Sequence, residues 1–150
     1  MNSKFRNIIE IISVFAIVLS LIFLALEVKQ SNQLAKATIR QALNETDMEV
    51  YKVQMDEDVI TKALYKIKKN IPLDDYEAYQ VNEFQTFNFR DFDNSFYQYR
   101  IGLFEENVWL AYRRIIKSLL KDQYVAIMWK NSSHQFNFEF QEEVNTILNE

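Results

Sequence analysis

The chain has no cysteine, and only one glycine, Gly102, and one proline, Pro72, in 150 residues. Without cysteine there is neither a disulfide framework nor a thiolate for catalysis or metal binding. Glycine normally makes up about 7% of a chain and proline about 5%, so tight turns are scarce here. A many-stranded sheet needs such turns, and their shortage points to long helices and an all-α fold. Histidine occurs once, as His134, in a polar stretch. Catalytic zinc usually takes two or three His or Cys ligands, and helical di-metal sites use Glu-x-x-His pairs; neither pattern occurs. No Gly-x-Ser-x-Gly turn presents a nucleophile, and no glycine-rich loop cradles phosphate. The pairs Asp74-Asp75, Glu105-Glu106 and Glu142-Glu143 fall near helix starts or on exposed faces, where capping and solvation account for them. The expectation is a protein that is not an enzyme and has no cofactor and no metal.

A basic excess is also missing: the net charge is −4, and nucleic acid is not an expected partner. Residues 1–30 carry Lys4, Arg6 and Lys29 against Glu10 and Glu27, so the acidic excess lies entirely in the rest of the chain. That rest is aromatic-rich, with twelve Phe and eight Tyr in the whole sequence concentrated between Tyr76 and Tyr112.

Near the N-terminus, Ile8–Leu26 runs for 19 residues with only Glu10, Ser13 and Ser20 polar. A hydrocarbon core of roughly 30 Å takes about 20 such residues at 1.5 Å each. A cleaved signal peptide is the competing reading, with Lys4 and Arg6 as its basic start. The apolar run is longer than the usual 7–15 residues, and no small-x-small site follows: Phe23 would occupy the −3 position for cleavage after Ala25. The expectation is an uncleaved transmembrane helix over 8–26, a short tail over 1–7, a stalk helix over 27–55 and a helical domain over 56–150. Lys4 and Arg6 with the terminal amine balance Lys29, Lys36 and Arg40, so the side of the membrane stays open.

Glu10, Ser13, Ser20 and Glu27 fall within a sector of roughly 100° on a helix. Ala16 and Ser20 add the small-xxx-small spacing that lets two helices approach closely. These five residues form a candidate helix–helix interface. Alternatively, Glu10 lies only about one turn inside the boundary and snorkels to the surface. Beyond the span, a heptad stripe continues through Leu34, Gln41, Met48 and Met55, accompanied by Ala37, Asn44 and Tyr51. Such a seam predicts packing against another helix, and the protein's own domain is the expected partner. The second stripe, Ile39, Leu43, Val50 and Val53, would then face elsewhere.

The domain reads as about five helices. Asp56 caps the first, whose apolar face holds Val59, Ile60, Ala63, Leu64 and Ile67. Pro72 begins the next, which runs to about Ile101 and ends at Gly102 in a left-handed conformation. Glu105–Leu120 and a short Gln123–Lys130 follow, then a loop at Asn131–His134 and a last helix over Phe138–Leu148. Phe84, Phe87, Phe92, Phe96, Trp109 and Tyr112 are a candidate aromatic pocket, although rings at helical spacing are more often core. Arg90, Arg100, Arg113 and Arg114 lie among them, to stack on rings or pair with Asp91, Asp93 and Glu105 or, alternatively, to hold an anionic ligand or a lipid headgroup.

At Trp109 the chain resembles a family of small bacterial single-pass membrane proteins, frequent in marine and proteobacterial genomes, whose span ends in a form like SLIYLAxQIRQN. Here Ser20-Leu21-Ile22-Phe23-Leu24-Ala25-Leu26-Glu27-Val28-Lys29-Gln30-Ser31-Asn32 stands in that place. The second shared pattern is Gly-Leu, acidic residues, Trp, Arg and a later Trp, matched by Gly102-Leu103, Glu105-Glu106, Trp109, Arg113-Arg114 and Trp129. The third is a Phe-x-x-x-Phe stretch, matched by Phe136 and Phe140, with Glu139 where the family usually has Pro. The resemblance covers nearly the whole chain and implies this architecture and a bacterial inner-membrane location, with no particular activity. Two functions are expected from different classes. One is an interaction module in the lipid bilayer that forms a homo-oligomer or joins other membrane subunits, with a pore lined by Glu10 and the serines as a variant. The other is a sensor or carrier of an apolar ligand or lipid.

Overall fold

A computed structural model describes residues 3–56 and 58–150, with side chains from Phe5 onward except Glu57. Six α-helices and one 3-10 turn are present, with no strand among the described residues, so the fold is all-α. They are α1 (Ser3–Asp56), α2 (Asp58–Lys68), α3 (Asp75–Arg100), α4 (Glu106–Leu119), α5 (Gln123–Ser132) and α6 (Phe138–Asn149), with the 3-10 turn at Ser133–Gln135.

With neither Gly nor Pro before Pro72, nothing interrupts α1. It takes in Ser3–Asn7, which the sequence reading placed in a tail, and runs through Asp56, which that reading made the cap of the next helix. The chain divides into two compact units at Thr38/Ile39. Met1–Thr38 contains the apolar stretch of α1; Ile39–Glu150 holds the rest.

In the second unit, helix limits follow local chemistry. Asp74 rather than Pro72 starts α3: its carboxylate accepts from the Glu77 amide at 2.8 Å while Glu77 Oε2 accepts from the Asp74 amide at 3.0 Å. This capping box satisfies two amide donors at once, which a proline at the first helical position cannot do. Lys66 at the end of α2 also pairs with Glu77. Gly102 ends α3 with φ 77°, and Asn70 takes the other positive φ, 54°, after α2. The expected loop at Asn131–His134 is instead helical. Ser132 is buried, and the 3-10 turn that follows brings Phe136 onto Trp129, with ring centroids 5.3 Å apart.

The core joins Leu43 of α1 to rings from every later helix except α2, among them Phe89, Phe92, Phe96, Trp109, Tyr112, Trp129 and Phe140. Phe96 lies 5.0 Å from Trp109 and 5.9 Å from Phe140, and Phe89 lies 5.2 Å from Trp129. Tilted ring contacts of this kind add to area burial and hold a core in one arrangement. Ile60, Ala63, Val81 and Phe84 are buried outside this cluster, on α2 and α3, which pack together.

The stripe expected to pack on the domain faces outward: Leu34, Gln41, Met48, Tyr51 and Met55 are all exposed. Of the other stripe, Leu43 is buried and Ile39 and Val50 are half-buried, but Val53 is exposed; Asp47 and Gln54, outside that stripe, complete the inward face. At about 100° per residue, Ile39, Leu43, Asp47, Val50 and Gln54 share one sector of roughly 80° on the helix.

Candidate functional site

The helix within Phe5–Asp56 is long and apolar enough to cross a membrane, and none of its most apolar window is buried. Ser13 and Ser20 donate to the carbonyls of Ile9 and Ala16, each at 2.8 Å, so both hydroxyl protons are already used within the helix. Glu10 lies 3.8 Å from Arg6 with both side chains exposed. Glu27 and Ala16 are exposed as well. All five interface candidates thus lie on the open surface of one helix, with no protein atoms over them among the described residues.

Within the second unit, the sequence-predicted aromatic pocket is largely filled by its own rings. Phe96 and Trp109 are closed off by Tyr99 and Phe140, with Tyr99 stacked on Trp109 at 5.9 Å. Phe84 is buried on the α2 side, and Phe87, at 52% exposure, points to solvent. Of that set, Phe92 and Tyr112 line a groove of about 340 Å³ between residues 40–54 of α1 and helices α3 and α4.

This groove exists because the last turns of α1 reach the bundle through a few side chains. Leu43 enters the core, Arg40 approaches Glu105 at 3.9 Å, and the Tyr112 hydroxyl donates to Asp47 Oδ2 at 2.9 Å. Its walls are apolar at Leu43, Val50, Phe92, Val108, Ile115 and Leu119, and polar at Asn44, Asp47, Asn88 and Asp91. Asp91 on α3 and Asp47 on α1 are half-buried carboxylates, and neither has a cationic group within 4 Å among the described residues.

Burial, reinforced by the Asp47 charge, raises the Asp91 carboxyl from 3.8 to about 6. Burial also raises the Tyr112 phenol well above its usual range, helped by the hydrogen bond to Asp47 and by the Asp47 and Asp91 charges. Tyr112 therefore stays protonated and acts as a donor. Its single proton goes to Asp47. The fully buried Ser95 hydroxyl lies against the phenol oxygen and partly offsets that rise.

Arg90 and Arg100 stack on rings as expected, whereas the carboxylates that Arg100 and Arg113 pair with are others than Asp91, Asp93 and Glu105. Arg90 lies over the Phe136 ring at 5.1 Å and donates to the Gln135 carbonyl at 3.1 Å, so it turns away from its neighbour Asp91. Arg100 stacks on Phe96 at 5.9 Å and pairs with Glu139 at 2.9 Å. Arg113 binds Glu143 at 2.6 Å and Glu150 at 2.9 Å, while Arg114 is exposed. Glu143 also accepts from Trp109 Nε1 at 3.3 Å. His134 is exposed, and no group of three His, Cys, Asp or Glu side chains arranged for a metal occurs among the described residues. In comparisons with protein-family models, curated proteins and solved structures, nothing matches the chain.

Proposed function

We propose that the chain is a membrane-anchored helical interaction module, held in the lipid bilayer by the apolar part of α1. It self-assembles there or serves as an accessory subunit of a larger membrane complex. The carrying observation is the apolar surface of that helix, exposed along its whole most apolar window. Nineteen residues with three polar members, left in water, would form an apolar patch far larger than a soluble monomer tolerates, and hydrocarbon removes that cost. The resemblance to bacterial single-pass proteins supports the inner membrane of a bacterium as its place.

Self-association is supported by the polar sector Glu10, Ser13, Ser20 and Glu27 and by the Ala16/Ser20 spacing. In hydrocarbon, an ionisable Glu10 favours a protein neighbour or the interface over lipid. The native mass of the full-length protein, extracted gently from its own membrane, tests this directly. A single species at a multiple of 18.0 kDa that falls to the monomer when Glu10, Ser13 and Ser20 are all changed to Leu is the expected result. Co-migration with larger unrelated chains assigns the accessory role. A wild-type monomer, or a mass the triple variant leaves unchanged, removes the polar face as an interface.

A further inference from the structure

Between Gln41 and Met55, the outward face of α1 carries residues that the fold itself does not use. Gln41, Asn44, Met48, Tyr51 and Met55 follow one another at steps of three and four and are all exposed, Met48 at 68% and Met55 at 80%. At about 100° per residue they share a sector of roughly 80°, centred about 120° from buried Leu43. The domain therefore leaves this side of the helix open. Steps of three and four are the a and d positions of a heptad, the pattern of a helix that packs along a second helix. In sequence, Ser13, Ser20, Glu27 and Leu34 precede Gln41 at the same seven-residue spacing, and no Gly or Pro interrupts α1.

The charges beside this seam select the second helix. In that register the flanking e and g positions from 33 to 54 are Gln33, Thr38, Arg40, Glu45, Asp47, Lys52 and Gln54. In a parallel pair, a g residue faces the e residue five places on in the other chain, and such pairs set partner choice. Between identical chains, Arg40 meets the second copy's Glu45 and Asp47 meets the second copy's Lys52. All four charged flanks thus find the opposite sign. The same four would also match head to tail, so the orientation comes from the bilayer: two chains inserted the same way run parallel. Arg40 approaches Glu105 of its own chain at only 3.9 Å with both side chains exposed, a weak competitor. Gln41, Asn44 and charges on both flanks make the seam a poor surface for hydrocarbon.

We propose that Gln41–Met55 of α1 is the docking surface for the same helix of a second copy, in a parallel coiled coil with Met48 facing Met48 and the Arg40–Glu45 and Asp47–Lys52 pairs on its flanks. This rests on the reading of the chain as membrane-anchored and self-associating, and gives that assembly a contact outside the apolar stretch 8–26. Gln41, polar at an a position, fixes the register at a cost in stability.

Because the chain has no cysteine, single-cysteine cross-linking tests the seam without background. Full-length Gln41→Cys, Met48→Cys and Glu49→Cys variants are oxidised in native membranes and run on denaturing gels without reductant. The first two should each give a disulfide-linked species at twice 18.0 kDa, because equivalent a residues face each other across a parallel seam within disulfide reach. Glu49→Cys, turned about 100° from Met48, should stay at the monomer mass. Adding Glu45→Lys and Lys52→Glu, both at exposed positions, to Met48→Cys should remove most of the linked species, with unchanged tryptophan emission showing that the domain is folded. No linked species from Gln41→Cys or Met48→Cys, linkage as strong from Glu49→Cys, or linkage that survives the charge reversal would overturn the proposal. An oligomeric native mass without linkage through residues 41 and 48 removes this seam and leaves self-association standing. A monomeric native mass without linkage removes both.

Discussion

Replacing Asp91 with Asn should stabilise the folded domain at pH 8 and leave it nearly unchanged at pH 4. In the native state the Asp91 carboxyl titrates at about 6, raised by burial and by the Asp47 charge, whereas in the unfolded chain it titrates near 3.9. The folded state therefore holds a proton between about pH 4 and 6 that the unfolded chain has released. Stability from this group is present in full below pH 4, falls as pH rises through 6, and is absent above. Two pH units at 1.36 kcal/mol each would amount to about 3 kcal/mol. Asp91 is only half-buried and solvent screens part of the effect, so about 1–2 kcal/mol is expected. Asn keeps the shape and removes the ionisation, so it should recover that amount at pH 8. With a denaturant slope typical of a small domain, the urea midpoint should rise by about 0.5–1 M. Urea titrations of wild type and variant in micelles at pH 4 and pH 8, followed by far-ultraviolet circular dichroism, measure it. A variant no more stable than wild type at pH 8, or one gaining equally at both pH values, would refute the assigned environment of Asp91.

Other substitutions probe the remaining elements. Trp109→Ala should cost about 3–5 kcal/mol, because it empties the centre of the ring cluster and removes the indole donor to Glu143, and thermal unfolding should show a large drop in midpoint. Arg113→Ala removes pairs to both Glu143 and Glu150 and should cost about 1–2 kcal/mol, most of it persisting in high salt because Arg113 and Glu143 are largely shielded. Gly102→Ala should cost about 1 kcal/mol from the left-handed backbone alone, since a methyl there meets nothing within 4 Å; a larger loss in urea titration would contradict that account. Asp74→Ala should cost about 1 kcal/mol through the capping box and fray the start of α3, visible as faster amide exchange at Glu77.

Much of the helical layout can be read in the sequence, because its signals are local. Gly102 as a stop, Glu105 before α4 and Phe138 at the start of α6 are set by residues next to one another. Two competing local rules misplaced the start of α3: proline at the first turn, and the Asp74-x-x-Glu77 pair, which satisfies more amide groups. The buried face of α1 was hidden because it includes Asp47 and Gln54, whereas the exposed heptad stripe carries Leu34, Met48 and Met55 and so looks like the face that packs. The groove was harder still to see. Asp91 follows Arg90 in sequence and invites pairing with it, but a one-residue step on a helix turns the side chain by about 100°, and Arg90 lies over Phe136 instead. The separation of Asp47, Asp91 and Tyr112 along the chain gives no periodic signal of their meeting.

Both tryptophans, Trp109 and Trp129, lie inside the ring cluster of the unit Ile39–Glu150, and the apolar stretch near the N-terminus has none. Their emission consequently reports one half of the molecule only: it should shift to the red and weaken when the cluster opens, whatever the surroundings of residues 8–26. The chain thus has a natural optical division of labour. A third tryptophan placed at exposed Phe15 or Phe23 would add a second emission, reporting the surroundings of the apolar stretch separately from the core signal.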